Sequence, residues 1–199
     1  MTTVTPETER NLRQVFRRFN RFMLLMWRLG FARFINISPE KGGQIMVIQH
    51  IGHKTGKVRQ TPVNFAEIDG EIYCTAGFGK VSHWYRNLLA HPDVELWLPN
   101  GRFHAHTQDI TDQPDALPIL RQVLINSGFA APAAGLHPKT MSDEELAAAT
   151  ASYRLFRFTK TQPAAGKADL LWVWPVLACL LLGIVVIWFK RLYDEGDES

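Results

Sequence analysis

The stretch GHKTGKVRQTP, at residues 52–62, contains the highest density of side chains that could bind a ligand. Two glycines permit a tight turn whose backbone amides can point at an anion. The side chains supply three cations and two hydroxyls: Lys54, Lys57, Arg59, Thr55 and Thr61. Lysine and arginine together can hold a phosphate or a carboxylate, and arginine can do so bidentately. The spacing is not that of a Walker loop. The stretch therefore predicts an anion site, with a solvated basic hairpin turn as the alternative.

A second stretch, CTAGFGKVSHWYRNL at residues 74–88, follows a predicted strand and precedes a predicted helix. Its small residues let a flat ring lie close to the backbone, and the start of a helix favours an anion. Lys80 adds positive charge. Trp84 and Tyr85 can stack on a ring, although aromatic residues at such positions also serve as ordinary core.

Taken together, GHKTGKVRQTPV and HWYRNLLAHPDVELWL resemble, in this order and spacing, the deazaflavin-dependent nitroreductase family. These are split β-barrel proteins that use the reduced 8-hydroxy-5-deazaflavin coenzyme (coenzyme F-420). The resemblance covers roughly residues 27–159. It implies an α+β fold, a split β-barrel of about six antiparallel strands with flanking helices. It also implies hydride transfer from the reduced coenzyme to an organic acceptor, with a quinone as one candidate.

The same resemblance implies roles for individual residues. The phosphate and poly-glutamate tail of the coenzyme would be bound by His53, Lys54, Thr55 and Arg59. The edge of the ring would be lined by Thr61 and Pro62. The loop over the deazaflavin would consist of Thr75, Ala76, Gly77, Phe78, Gly79 and Lys80. That loop would be supported by Trp84, Tyr85 and Asn87.

The acceptor side of the site is defined by fewer residues. The family's C-terminal aromatic wall is represented by Tyr153, together with Phe156, and His83 is a candidate proton donor. No catalytic residue is assigned, which agrees with hydride transfer in which the protein supplies placement and electrostatics. His104 and His106 share a strand face without an evident third ligand, so no metal site is predicted.

The elements that must position these residues divide the chain into five parts. Residues 1–36 form a basic amphipathic helix, 37–160 the barrel, 161–169 a linker, 170–189 a transmembrane helix and 190–199 an acidic tail. Within the barrel, the apolar and β-branched patterns predict at least five short strands, one pair of them joined by an Asp-Gly turn. Helices are predicted over residues 82–91, 112–127 and 142–153, the last begun by a Ser-x-x-Glu capping box.

The predicted transmembrane helix, LLWVWPVLACLLLGIVVIWF, has no charged side chain over its twenty residues. Tryptophans lie at both ends, as in aromatic belts. Four cations precede it, Arg154, Arg157, Lys160 and Lys167, and only Lys190 and Arg191 follow it. This charge bias predicts a single-pass anchor with the barrel on the cytoplasmic side.

The N-terminal helix, over residues 10–35, carries an apolar stripe and a face of arginines. Two interpretations remain open: a helix packed on the barrel with its basic face in water, or a helix lying in an anionic membrane surface. The chain of 199 residues has a net charge of +3 and 46% hydrophobic residues, which excludes a disordered chain. No fold motif for nucleic-acid binding is found.

Two other functions stay open beside the reductase. The barrel could be a non-catalytic accessory subunit of a larger membrane complex, for example a respiratory or photosynthetic one. It could also bind a different ligand in the same place, such as FMN, haem or a lipid. The two cysteines, Cys74 and Cys179, do not form a disulfide framework, which favours a reducing compartment.

Overall fold

The computed structural model describes residues 18–36, 42–166 and 170–196, with side chains in the last segment as far as residue 185. The predicted beginning of the N-terminal helix at residue 10, part of the linker and the end of the acidic tail lie outside the described residues.

The described chain contains six strands. They are β1 (Ile45–Ile51), β2 (Val58–Ile68), β3 (Glu71–Ala76), β4 (Asp93–Leu98), β5 (Gly101–Asp109) and β6 (Arg154–Pro163). Helix α1 includes residues 18–28. The later helices are α2 (Ala32–Ile35), α3 (His83–Ala90), α4 (Ala116–Ile125), α5 (Ala130–Ala133), α6 (Asp143–Ala149) and α7 (Val173–Gly196). A short 3-10 helix, Gly79–Val81, immediately precedes α3.

The strands close into a barrel in the order β1-β2-β3-β6-β5-β4, and all neighbouring pairs are antiparallel. Closure gives each of the six described strands a hydrogen-bonded neighbour on both sides. The β2–β3 hairpin turns at Asp69 and Gly70, whose φ angles of 52° and 83° are the positive values that an Asp-Gly turn requires. The predicted antiparallel barrel with flanking helices is confirmed.

Side chains point alternately into and out of the barrel along each strand, and this alternation decides which residues form the interior. On β1, Met46 and Ile48 point into the main core, where they meet Phe65, Ile72 and the last strand's Phe158. Residues of the opposite parity point outward and are covered by helices. The short helices between β5 and β6 cover one outer wall, while Trp27 of α1 packs against Val47 and Trp97 on another. The described part of the N-terminal helix is thus packed on the barrel.

Several element boundaries differ from the sequence prediction. Helix α4 begins at Ala116 rather than at residue 112, and α6 ends at Ala149 rather than at 153. The capping box at the start of α6 is present, with the Glu145 amide donating to Ser142 Oγ at 3.2 Å. Strand β6 runs to Pro163, into the predicted linker, because its end pairs with β5 beyond a bulge between His104 and Ala105.

Among the residues that the structure describes, no helix is both long enough and apolar enough to span a membrane, and the predicted transmembrane helix is not confirmed. The beginning of α7 contacts the region after α1. The Trp174 indole donates to the Leu29 carbonyl at 3.0 Å, and its ring lies edge-on to Phe31 with centroids 5.4 Å apart.

Candidate functional site

One end of the barrel interior is polar. Along β1 the inward positions are Met46, Ile48 and then His50, which is only 3% exposed. Antiparallel pairing places Thr61 beside Ile48 and Arg59 beside His50. Residues that pair directly across two strands point to the same face. The inner face therefore changes from apolar to polar as β1 approaches the turn into β2.

Helix α3 lies over this end of the barrel. Leu88 and Tyr85 enter the main core, while Asn87 is buried and faces the turn. The Tyr85 hydroxyl donates to Asp109 Oδ2 at 2.9 Å. Burial raises the pKa of Tyr85, and the bond to Asp109 adds to that effect. Tyr85 thus supports α3 from within the core and is not available to stack on a ligand.

Asn87 joins three elements through a network of hydrogen bonds. Its Oδ1 accepts the His53 backbone amide at 3.0 Å and lies 2.6 Å from His53 Nδ1. Its Nδ2 lies 3.1 Å from His50 Nδ1, and His50 Nε2 lies 3.0 Å from the Thr61 hydroxyl. Burial lowers the pKa of His50 to about 4, and the charge of Arg59 acts in the same direction. The imidazole of His50 is therefore neutral near pH 7. We refer to His50, His53, Thr61 and Asn87 as the polar network.

The turn at residues 52–57, here the basic turn, is held by its own backbone. The Gly52 amide donates to the Lys57 carbonyl at 2.9 Å, and the Thr55 and Gly56 amides both donate to the Gly52 carbonyl. With the His53 amide bound to Asn87, few amides remain to face an anion. The predicted nest of free amides is not what the structure shows, and the positive side chains must provide the attraction for an anion.

Those side chains are accessible. Lys54, Lys57 and Arg59 are all exposed, and none forms an ion pair within the described part of the chain. Thr55 is exposed beside them, and its hydroxyl receives a weak contact from the Lys57 amide at 3.4 Å. Three uncompensated positive charges on a rigid turn favour an anionic ligand. The structure thus brings the predicted anion-binding residues to one place.

The segment at residues 75–80, here the glycine loop, leaves the end of β3 and lies against the beginning of β6. The Thr75 hydroxyl donates to the Arg154 carbonyl at 3.1 Å. A Cβ placed on Gly77 would lie 3.4 Å from the Tyr153 ring, and one on Gly79 only 2.1 Å from the Ser152 carbonyl oxygen. Close backbone approach therefore requires glycine at position 79, whereas a Cβ on Gly77 would make an ordinary van der Waals contact with the Tyr153 ring. Gly77, Phe78 and Lys80 are exposed, while Ala76 is buried.

Tyr153 and the glycine loop, which the family resemblance assigned to the acceptor side and the coenzyme side of the site, are neighbours. Tyr153 is half-buried, and burial raises its pKa. Phe156 is different: it is 1% exposed in the main core, where it contacts Trp84 and Tyr85, so it cannot form part of an acceptor wall. This corrects the expectation for Phe156. On β6 the Phe156 side chain points into the barrel, whereas Tyr153 lies just before the strand begins.

Two further predicted residues do not share a site. Thr61 and Pro62 are adjacent on β2 and point to opposite faces of the barrel, because side chains alternate along a strand. Thr61 pairs with inward-facing Ile48, while Pro62 pairs with Val47 on the outer wall. Only Thr61 can face a ligand at the polar end. His83 is exposed at the start of α3, and none of the contacts between described residues joins it to the polar network.

The sequence prediction missed His50, which holds the centre of the polar network. A signal was present, since His50 is the polar residue that continues the alternating inward series of Met46 and Ile48. Elsewhere, His106 contacts Asp93 at 2.8 Å on the surface. No group of three or more metal-binding side chains is found in the described ranges. Cys74 is buried, which raises the pKa of its thiol.

A family model described as F420H(2)-dependent quinone reductase matches residues 36–134, just under half of the chain. The matched range includes the basic turn, the glycine loop and α3, and it ends before Tyr153 and β6. The match supports the resemblance to deazaflavin-dependent reductases that the two motifs predicted.

Several solved structures are similar to this chain. A conserved hypothetical protein of Mycobacterium tuberculosis has a TM-score of 0.47 and 18% identity, over 71% of this chain and 84% of that one. A reductase described as F420-H2 dependent, FDR-A, has a TM-score of 0.39 and 19% identity, over 58% and 93%. The haem storage protein HutZ of Vibrio cholerae has a TM-score of 0.40 and 13% identity, over 67% and 88%. Likenesses at these scores carry no argument about function.

Proposed function

We propose, on the premise of its match to the quinone reductase family, that this chain transfers a hydride from the reduced deazaflavin coenzyme to a quinone. One observation carries the proposal. A turn with three exposed cations, none of them in an ion pair with a described residue, is anchored through Asn87 to the helix that follows an accessible glycine loop. That arrangement suits a ligand with an anionic tail and a flat ring.

The residues present fit the coenzyme. Its phosphate and carboxylates would be held by Lys54, Lys57 and Arg59, and its ring would lie by the glycine loop, where Gly77 offers exposed backbone. When bound, the coenzyme supplies the hydride. The chain's own contribution is to orient the ligand, to fix the loop through Ser152, and to present Tyr153 to an acceptor.

A fluorescence titration of the full chain with the reduced coenzyme tests the proposal, with FMN as the comparison ligand. Lys54→Ala/Arg59→Ala should weaken binding on the order of tenfold or more, because charge-assisted contacts are lost. Lys139→Ala is the control, since Lys139 is an exposed cation in the turn before α6 and belongs to neither the basic turn nor the polar network. Saturable binding followed by quinone-dependent oxidation of the coenzyme would support the function. Absence of any binding at micromolar coenzyme would contradict it.

The proposal extends to a membrane location, with residues 170–189 as the anchor and the barrel on the cytoplasmic side. The support is the uncharged run in the sequence and the exposure of the apolar side chains that the structure describes in α7, among them Leu181, Leu182 and Ile184. Phe22 and Leu25 of α1 are also exposed, so lipid is a suitable partner for both helices. A membrane location would place the site near a lipid-dissolved quinone.

Alkaline extraction of membranes from cells that produce the full chain tests this location. The chain should resist extraction, and Leu181→Lys/Ile184→Lys should release it, because charges are costly in hydrocarbon. Phe129→Lys, which changes an exposed apolar residue of the barrel domain, should not. Release of the unaltered chain would refute the location. Stoichiometric co-purification with membrane proteins, without coenzyme binding, would favour an accessory subunit instead.

A further inference from the structure

The hydrogen-bond network around Asn87 fixes where its protons lie, because one of its donors is unambiguous. A backbone amide can only donate, so the atom that receives the His53 amide at 3.0 Å must be the Asn87 oxygen. The orientation of the Asn87 side-chain amide follows from this single bond. Its nitrogen then points at His50 and its oxygen at His53.

The two histidines consequently carry their protons on different ring nitrogens. His53 Nδ1, 2.6 Å from the Asn87 oxygen, must hold a hydrogen. His50 Nδ1, 3.1 Å from the Asn87 nitrogen, must accept and hold none. A neutral His50 then bears its hydrogen on Nε2, which donates to the Thr61 hydroxyl at 3.0 Å.

Two polar atoms are left over at the edge of this network. The Thr61 oxygen accepts from His50, so its own hydrogen is directed at some other acceptor, and none is found among the described residues. His53 Nε2 likewise has no partner in the described part of the chain. Both residues are half-buried at the base of the basic turn. The Thr61 hydroxyl hydrogen and His53 Nε2 are therefore both available to a ligand bound beside the basic turn.

We infer that His50 is a positioning residue, which with Asn87 sets the protons of Thr61 and His53 so that a bound ligand meets the Thr61 hydroxyl hydrogen and His53 Nε2. Through Asn87 it also fixes the basic turn, since the His53 amide and ring bind the same oxygen. This inference rests on the proposed function for the identity of the ligand, the deazaflavin coenzyme. The proton positions themselves do not depend on it.

Long-range proton–nitrogen NMR correlation on the full chain, labelled with nitrogen-15 and kept in a mild detergent, tests the proton positions without coenzyme. At pH 7, His50 should show the Nε2–H form and His53 the Nδ1–H form. His53 in the Nε2–H form, or His50 in the Nδ1–H form, would overturn the inference. A failure of coenzyme binding would leave this result unchanged, so the two failures are distinguishable.

Two variants of Asn87 sharpen the test. Asn87→Asp retains oxygens for the amide and ring of His53 but removes the donor to His50. His53 should then keep its Nδ1–H form, while His50 acquires a hydrogen on Nδ1. Asn87→Ala removes both contacts, and His53 should lose its preference for Nδ1–H. If His50 keeps a bare Nδ1 in Asn87→Asp, the assigned coupling between Asn87 and His50 is wrong.

Coenzyme titration then distinguishes a hydrogen-bonding role of His50 from a role in packing alone. His50→Leu should weaken coenzyme binding by about tenfold, because the buried Asn87 amide then lacks an acceptor and the Thr61 hydroxyl lacks its donor. His50→Gln should restore most of that affinity, since its amide can accept from Asn87 and donate to Thr61. Equal loss in both variants would show that only the shape of the imidazole matters, and would overturn the positioning role.

Discussion

Gly79 offers the sharpest test of how the glycine loop is held. It has a φ of +56°, and a Cβ there would lie 2.1 Å from the carbonyl oxygen of Ser152. Gly56 in the basic turn has a similar φ of +62° but no atom within 4 Å of its Cβ position. The two sites share the same backbone strain and differ in steric contact. Alanine at each position therefore separates one effect from the other.

The expected magnitudes follow from that difference. Left-handed backbone costs an alanine about 1–2 kcal/mol, which is the whole penalty expected for Gly56→Ala. Gly79→Ala adds a contact with backbone that cannot rotate away, and overpacking of this kind costs about 1–3 kcal/mol more. Gly79→Ala should thus lower the free energy of unfolding by about 2–5 kcal/mol in total.

Urea unfolding of the full chain in a mild detergent, followed by circular dichroism, measures both variants. Gly79→Ala should be less stable than Gly56→Ala by about 1–3 kcal/mol, the cost of the added contact. If Gly79→Ala and Gly56→Ala destabilise the chain equally, then the loop does not lie against Ser152 as described. A loss of coenzyme binding in Gly79→Ala alone would further show that this contact shapes the site.

Three further predictions concern His50, Tyr153 and Ser142. Stability should fall as the pH drops from 6.5 towards 4, because His50 takes up a proton in the unfolded chain but stays neutral when buried, where its pKa is about 4. Unfolding measured across this pH range should show a loss of free energy approaching about 3 kcal/mol. The loss should be absent in His50→Gln, and the same pH profile in that variant would contradict the prediction. Tyr153→Ala should reduce quinone turnover by about tenfold or more, while coenzyme affinity changes little. Steady-state kinetics measures the turnover, and the coenzyme titration measures the affinity. Equal losses in both would show that Tyr153 supports coenzyme binding instead. Ser142→Ala should lower the free energy of unfolding by about 1 kcal/mol, because it removes the cap that receives the Glu145 amide; urea unfolding that shows no change would argue against that bond.

The sequence predicted the barrel because its local signals agreed with one another. The Asp-Gly turn, the alternating strands and the Ser-x-x-Glu box each correspond to the described structure at Asp69, β1 and Ser142. Boundaries were predicted less well. The end of β6 depends on a partner in β5 across a bulge, and no local pattern in residues 161–163 reports a pairing of that kind.

The sequence predicted most residues of the site but not the hydrogen bonds that join them. The motif residues of the basic turn and of α3 are joined by Asn87, yet their pairing with His50 depends on which face of β1 the histidine occupies. Phe156 and Pro62 were misplaced for the same reason. Neighbouring residues on a strand share a sequence motif but point to opposite faces, so strand parity decides which of them can touch a ligand.

The pairing of β3 with β6 has a consequence for how this chain folds. Ile72 lies opposite Phe158, and the barrel cannot close without that long-range pairing. Contacts between residues so distant in sequence form slowly, because a long loop must be closed first. The glycine loop gains its supports, Ser152 and the Arg154 carbonyl, from the same late segment. On a ribosome, the basic turn can form early, whereas the glycine loop must wait until nearly the whole barrel has been synthesised.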